Sequence, residues 1–275
     1  MPLTTKRVVL IGTPIARSLS PAFQNAAFRA AGIDAHYGLA EITPDALPAT
    51  IAALRGADWL GANVTIPYKE AVLPLMDTVS DEARAVGAVN TVINRDGALH
   101  GANSDVPGFA AALREAGVEV TGQTALMLGA GGSARAVAVA LRQMGVARLV
   151  IANRTTTRAE AIAALWPYGN ATATALDSTL MHDTLPSAAL VVNTIPVGLY
   201  SDASPLSVDA LALLPATATV YDLVYGRTPL LLAAEARGLR ALDGLSMLIH
   251  QGAVSWEMWT GQPASLTAMW AAVKA

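Results

Sequence analysis

Among the 275 residues there is no cysteine. That absence excludes a disulfide framework, a thiolate nucleophile and a zinc–thiolate centre. Lysine is nearly absent as well: of 18 basic residues only Lys6, Lys69 and Lys274 are lysines, so a lysine inside a polar motif stands out. Charged residues make up 14% of the chain and the formal net charge is −3, which leaves no basic stripe for nucleic-acid binding. Long apolar runs are missing too. The longest stretch free of Asp, Glu, Lys, Arg and His, from Thr184 to Ser201, is broken by Pro186, Asn193, Pro196 and Gly198, whereas a membrane-spanning helix needs about 20 mostly apolar residues in succession. Lys6-Arg7 ahead of Val8 to Ile11 imitates the start of a signal peptide, but the apolar run falls short of the roughly 7 to 15 residues required and Pro14 follows closely. These absences lead us to expect a cytoplasmic protein with neither nucleic acid nor membrane as partner; between monomer and homodimer the sequence leaves the choice open. His36, His100 and His182 have no metal-ligand spacing, so no metal is expected.

What the chain has in abundance is apolar material, 53% of residues with a mean hydropathy of +0.43, in short runs that alternate with alanine-rich helical patterns. This alternation predicts an α/β architecture with mostly parallel sheets. Strands are expected near residues 8–11, 36–40, 61–65, 89–93, 125–128, 149–152, 190–193 and 220–223. Helices are expected near 21–31, 44–54, 105–116, 133–144, 157–165 and 229–237. A fresh set of strands and helices begins shortly after Asn103 to Gly108, so the expected domains are 1–104 and 105–242. Residues 243–275, rich in Met and Trp, are too few for a domain and too apolar to hang free, and are expected to return to the first. Trp256, Trp259 and Trp270 recur at helical spacing and read as a packing stripe, and His250 as a partly buried hydrogen-bonding side chain.

The run from Thr124 to Ala136 joins an apolar strand to an alanine-rich helix through a G-x-G-x-x-A turn made of Gly129, Ala130, Gly131, Gly132, Ser133 and Ala134. Gly129 permits the tight turn, Gly131 lets a pyrophosphate approach the backbone, and Ala134 keeps the helix close to the sheet. The helix N-terminus then offers N–H groups and a partial positive charge to phosphates. About 20 residues further on, where an NAD site places a carboxylate against the ribose 2′-hydroxyl, stands Asn153-Arg154-Thr155 with Arg158 a turn later. Arginines there hold a 2′-phosphate by charge-assisted hydrogen bonds, so the expected cofactor is NADP.

Four further clusters carry hydroxyls, amides, a lysine and an aspartate: Ser18-Leu19-Ser20-Pro21, Asn63 to Lys69, Gly87 to Thr91, and Gly101 to Phe109. They suit a small polyhydroxylated carboxylic acid. With the glycine turn, Asn153-Arg154-Thr155, Asn193 to Leu199, and Gly244 to Leu248 followed by Gln251, they run the length of the chain in an order that resembles the shikimate dehydrogenase family. The resemblance implies two α/β domains, an N-terminal substrate domain and a Rossmann-type NADP domain, with a C-terminal helical segment packing back on the first. It implies NADPH-dependent reduction of 3-dehydroshikimate to shikimate, in aromatic amino-acid biosynthesis. It implies that Ser18 and Ser20 bind the substrate carboxylate, that Thr65, Asn90 and Gln251 bind ring hydroxyls, that Tyr225 lies near the substrate, that Thr194 and Gly244 border the cofactor, and that Lys69 and Asp105 are the catalytic pair.

The chemistry asks for such a pair independently. Hydride arriving at a carbonyl carbon leaves an alkoxide that needs a proton from an acid within hydrogen-bond reach. An ammonium both stabilises that charge and donates the proton, and an aspartate orients it. In reverse, neutral lysine serves as base, so shikimate oxidation is expected to accelerate with pH. Asn63 reads as loop support, and Asp105 as a helix N-cap as well. Three departures from the family pattern stand out: Gln24 where histidine is usual, Ser104 where threonine is common, and a loop between Tyr225 and Thr228 about two residues short. The competing readings are a quinate/shikimate dehydrogenase of broader specificity, which Ser20 and Arg154 disfavour, and a non-catalytic NADPH- or metabolite-sensing module, which the presence of both Lys69 and Asp105 disfavours.

Overall fold

The structure, a computed structural model, describes residues 5–166, 170–198 and 201–274; Leu199, the last residue of the Asn193 motif, lies outside them. By its internal contacts the chain forms two compact units, one comprising the chain up to Gly108 together with Leu248 onward, the other Phe109–Met247. These joins fall a few residues beyond those expected from the motifs. The chain crosses them inside helices, whose first turns stay with the preceding unit.

The first unit is built on a six-stranded sheet. In chain order its elements are β1 (Lys6–Gly12), α1 (Ser20–Ala30), β2 (Ala35–Glu41), α2 (Leu47–Ala53), β3 (Trp59–Val64), β4 (Thr78–Val79), α3 (Asp81–Val86), β5 (Thr91–Arg95), β6 (Ala98–Ala102) and the start of α4 (Asp105–Glu115). The strands lie in the order β2-β1-β3-β5-β6-β4. β1 pairs in parallel with β2 and β3, but β5 runs antiparallel to both β3 and β6. Among the described strands of this sheet β5 alone runs against the others, β4 again pairing in parallel with β6, so the sheet is mixed but mostly parallel as expected. The cause of the reversal is local: Asp96 and Gly97, with φ of 52° and 89°, form the two-residue turn that folds β5 back on β6.

Both faces of this sheet are covered. Along β1, Val8 and Leu10 enter one apolar cluster while Val9 and Ile11 enter another, the period-two alternation of a central strand. The first cluster gathers Phe23, Ala27 and Phe28 of α1 with Ile249, Trp256 and Trp259 of α10 (Leu245–Thr260) and Met269 of α11 (Leu266–Lys274). The ring of Trp256 lies 5.9 Å from Phe28 and that of Trp259 6.1 Å from Tyr37, so these tryptophans are packing groups. The opposite cluster holds Leu47 and Ile51 of α2 with Ala83 beside β3 and β5. α3 is capped by Ser80, whose Oγ accepts the Ala83 N–H at 3.1 Å.

The second unit carries β7 (Thr124–Leu128), α5 (Gly132–Gln143), β8 (Arg148–Ala152), α6 (Thr156–Ala163), β9 (Ala171–Thr174), α7 (Thr179–Thr184), β10 (Ala188–Asn193), α8 (Val208–Ala212), β11 (Thr219–Asp222), α9 (Pro229–Ala236) and β12 (Arg240–Leu242). Every recorded pairing is parallel, in the order β12-β11-β10-β7-β8-β9. That is the doubly wound order, with its reversal between β7 and β10. Leu126, Leu128, Val150, Val191 and Val220 are fully buried, as strands covered on both faces require. Among the described residues no helix is long and apolar enough to cross a membrane.

Candidate active site and nucleotide turn

Polar groups of the first unit collect where its strands end. β3 stops at Val64, and the turn that follows brings Lys69 back beside β5, its carbonyl accepting the Val89 N–H at 2.8 Å. Asp105 arrives as the first residue of α4, so it does not cap that helix; Asn103 Oδ1 accepts its N–H at 3.0 Å. Lys69 Nζ and Asp105 Oδ2 then meet at 2.6 Å, with the side chains only 10% and 7% exposed. A pair this far from water is tolerable only when its remaining lone pairs are also satisfied. Asn90 does that, donating from Nδ2 to Asp105 Oδ1 at 2.8 Å.

The orientation of the Asn90 amide is itself determined. Its Oδ1 accepts the Ser104 N–H at 2.7 Å and the Thr91 hydroxyl at 2.9 Å, which leaves Nδ2 to face the carboxylate. Behind Asn90 lies a buried set of hydroxyls. Ser104 Oγ and Thr91 Oγ1 each stand 2.9 Å from Ser255 Oγ, and Ser255 donates to the Gln251 carbonyl at 3.0 Å. Gln251 Oε1 accepts from Ser104 Oγ at 3.3 Å. Asn63 closes the back of the network, donating to the Asn90 carbonyl at 3.1 Å and to Ser255 Oγ at 2.9 Å while accepting from the Tyr37 hydroxyl at 2.8 Å. Burial drives the Tyr37 phenol well above its ordinary range, against a smaller opposing effect of a hydrogen bond with Ser20.

Lys69, Asn90, Asp105 and Gln251 thus belong to one hydrogen-bonded network. Ser18 and Ser20 stand at the start of α1, where Ser18 Oγ accepts the Ser20 N–H at 3.2 Å. Thr65 immediately follows β3 and donates its N–H to the Ile11 carbonyl at 2.8 Å. Gln24 is fully buried and donates to the Gly252 carbonyl at 2.9 Å, tying α1 to α10. Sequence reasoning passed over Tyr37 and Ser255 as site residues, and placed Thr91 in a polar cluster without giving it a role. Each reads as an ordinary strand or helix residue, and only tertiary packing turns it inward.

The second unit supplies the glycine turn. Gly129 has φ of 106°, and a Cβ there would stand 2.3 Å from Thr194 Oγ1, so only glycine fits. A Cβ at Gly131 would meet nothing within 4 Å, and no side chain caps α5 behind it. An open approach to an uncapped helix start is what a pyrophosphate needs. Ala130 and Ser133 are half-buried along the same turn, Gly132 lies between them, and Ala134 is fully buried against the sheet. At the carboxyl end of β8, Asn153 Nδ2 donates to the Thr155 carbonyl at 2.8 Å, and Arg154 and Arg158 stand exposed. These residues fit a dinucleotide that carries a 2′-phosphate.

Thr194 donates both its N–H and its hydroxyl to the Leu128 carbonyl at 2.8 Å, and a Cβ on Gly244 would stand 2.0 Å from the Leu223 carbonyl oxygen. Tyr225 also lies on this unit, in the short loop. That loop closes as a tight turn at Gly226, whose φ is 96° and whose N–H donates to Asp243 Oδ2 at 2.8 Å.

A buried lysine–aspartate pair on one α/β unit and a dinucleotide turn on the other are the parts of a nucleotide-dependent oxidoreductase. Comparison with known proteins narrows that class. Family models match residues 10–92 (shikimate dehydrogenase substrate binding domain), 111–195 (shikimate / quinate 5-dehydrogenase) and 244–274 (shikimate 5′-dehydrogenase C-terminal domain). The chain is 46% identical to a shikimate dehydrogenase (NADP(+)) of Symbiobacterium thermophilum over 92% of its own length and 88% of that protein's. It is also 46% identical to one of Methylobacterium radiotolerans, over 95% and 93%. A crystal structure of shikimate 5-dehydrogenase from Thermus thermophilus, in complex with NADP(H) and shikimate, is similar with a TM-score of 0.87 at 39% identity over 98% of both chains. The chain belongs to the shikimate dehydrogenase family.

Proposed function

We propose that the protein reduces 3-dehydroshikimate to shikimate with NADPH, reversibly, as a step of aromatic amino-acid biosynthesis. In this reading the first unit binds substrate and the second binds NADP. The observation that carries it is the Lys69–Asp105 pair, 2.6 Å apart and held from behind by Asn90. NADPH, when bound, supplies the hydride that reaches the ketone carbon. The Lys69 ammonium stabilises the charge growing on the ketone oxygen and gives it the balancing proton; Asp105 keeps the ammonium aimed and Asn90 keeps the carboxylate from rotating. In the oxidative direction the neutral amine takes the proton back. Ser18 and Ser20 bind the substrate carboxylate, and Thr65, Asn90 and Gln251 the ring hydroxyls, with Tyr225 as a further substrate-binding residue. The glycine turn from Gly129 to Ala134, with Thr194 and Gly244, holds the pyrophosphate and nicotinamide portion. Asn153, Arg154, Thr155 and Arg158 take the 2′-phosphate. The protein works on small molecules in the cytoplasm, as a monomer or homodimer, without nucleic acid or membrane.

Absorbance of the reduced cofactor, followed with shikimate and with quinate and with NADP and NAD in turn, tests the reading. Fast reduction is expected for shikimate with NADP. Faster turnover of quinate with NAD would transfer the protein to the broader-specificity branch, and binding of NADP without reduction would make it a sensor.

A further inference from the structure

Asp222 is fully buried and takes no part in the chemistry described above. It ends β11, directly beside Asn193 at the end of β10, which lies beside Leu128 at the end of β7. Three neighbouring parallel strands therefore finish level with one another at the order reversal of the sheet, where doubly wound folds bind their ligands. The Asp222 carboxylate accepts from three donors. Asn193 Nδ2 reaches Oδ1 at 2.9 Å, the Val224 N–H reaches Oδ1 at 3.0 Å, and the Thr228 hydroxyl reaches Oδ2 at 2.7 Å. Burial pushes its carboxyl upward while these three donors pull it back.

What the carboxylate holds is a second relay. With Nδ2 turned toward Asp222, the Asn193 amide also clasps its own loop, Nδ2 donating to the Ile195 carbonyl and Oδ1 accepting the Ile195 N–H, both at 3.0 Å. Thr194 is thereby delivered to the Leu128 carbonyl, and its Oγ1 and the Ile195 side chain form the wall against which Gly129 turns. On the other side Thr228 caps α9, and the Leu223 N–H returns to the Asn193 carbonyl at 2.9 Å. One buried carboxylate thus ties together the loops that follow β10 and β11, and the first of these shapes the glycine turn.

We infer that Asp222 is a positioning residue for cofactor binding: through Asn193 it sets the loop that backs the Gly129 turn. The inference rests on the reading that this turn binds NADP.

Direct fluorescence titration of NADPH into the full-length wild type and variants separates the two. If the wild type shows no saturable binding, the NADP reading fails and the inference falls with it. Given wild-type binding, Asp222→Ala is expected to raise the dissociation constant at least tenfold with the circular dichroism of the fold retained. Asp222→Asn, which keeps Oδ1 as acceptor for Asn193 and Val224, is expected to restore most of that loss. Asn193→Ala is expected to weaken binding as Asp222→Ala does, and the double variant to be no weaker than the worse single, since both act through one contact. A constant for Asp222→Ala within twofold of wild type, or losses that multiply in the double variant, overturns the inference. Should Asp222→Ala fail to fold, Asn193→Ala alone decides: tenfold weakening supports the relay and a change within twofold overturns it.

Discussion

In the proposed reaction a single amine bears most of the chemistry, and its surroundings explain why substitution there is a test of mechanism. Lys69 and Asp105 are both buried, so the carboxylate has no solvent to turn to and the amine has a fixed direction. Lys69→Ala removes the proposed proton donor, and positioned acids contribute roughly a hundredfold to ten-thousandfold to such steps. Turnover is expected to fall within that range while NADPH affinity, measured by fluorescence, stays unchanged; retained turnover would remove Lys69 from the mechanism. A surface residue provides the contrast. Asp77 is exposed, and hydrogen bonds from Arg55, at 2.5 Å, and then from the Leu99 N–H hold its carboxyl down at about 2. Because the folded value lies below the unfolded one of about 3.9, the stabilisation is complete above about pH 4 and disappears as pH falls from there toward about 2. Asp77→Asn is expected to flatten that limb of the stability profile, read as urea midpoints between about pH 5 and pH 2, by lowering the upper midpoints toward the acid one, and only by a small amount since both partners face solvent.

Element by element, short strands carry the polar groups and longer helices set their spacing. α4 and α10 approach closely at Gly108, where a Cβ would stand 2.6 Å from the Gln251 Cβ and 2.7 Å from its backbone nitrogen. The obstruction is backbone, which cannot rotate away. Gly108→Ala is therefore expected to cost about 1–3 kcal/mol as an overpacked contact and to displace Gln251, raising the Michaelis constant for shikimate more than that for NADP. Equal effects on both would mean that Gln251 does not reach substrate. At this scale the sequence was legible wherever periodicity or a glycine turn was long enough to show. β1, β7, β8 and β10, and α1, α4, α5 and α9, lie within a residue or two of expectation. β4, α3, β6, β9, α7, α8 and β12 went unseen. They are short, and several, such as the two-residue β4, exist only because a neighbouring strand pairs with them. The Asp96-Gly97 turn was a readable hairpin signal, and it accounts for the reversed direction of β5 in the first sheet.

Across the whole molecule, the C-terminal segment does two jobs in the first unit. It completes the apolar cluster over α1 and β1, and through Gln251 and Ser255 it finishes the hydroxyl network behind Asn90. Trp256 is the largest fully buried side chain among the described residues, and its Nε1 has no hydrogen-bond partner there. Trp256→Ala is expected to destabilise the first unit by about 3–5 kcal/mol through the cavity it leaves. Trp256→Phe, which removes the unsatisfied N–H along with less volume, is expected to cost much less. Hydrogen exchange would locate the effect: protection in β1 and β3 should drop while that in β7 and β10 is kept, because the second unit has its own apolar cluster.

From the order of residues alone came the alternation of strands and helices, the glycine turn with its arginines a strand later, and the prominence of Lys69, to which the family resemblance added Asp105. Each is a local pattern whose meaning depends on spacing along the chain or on the rarity of a residue type. Only the folded structure decided which hydroxyls stand behind Asn90 and that Asp222 binds two loops together. Thr91 lies in a strand, Ser104 before a helix and Ser255 in a helix far down the chain. Nothing in their local sequence announces that they will meet behind one amide, since a hydrogen bond is set by distance in space and not by distance along the chain.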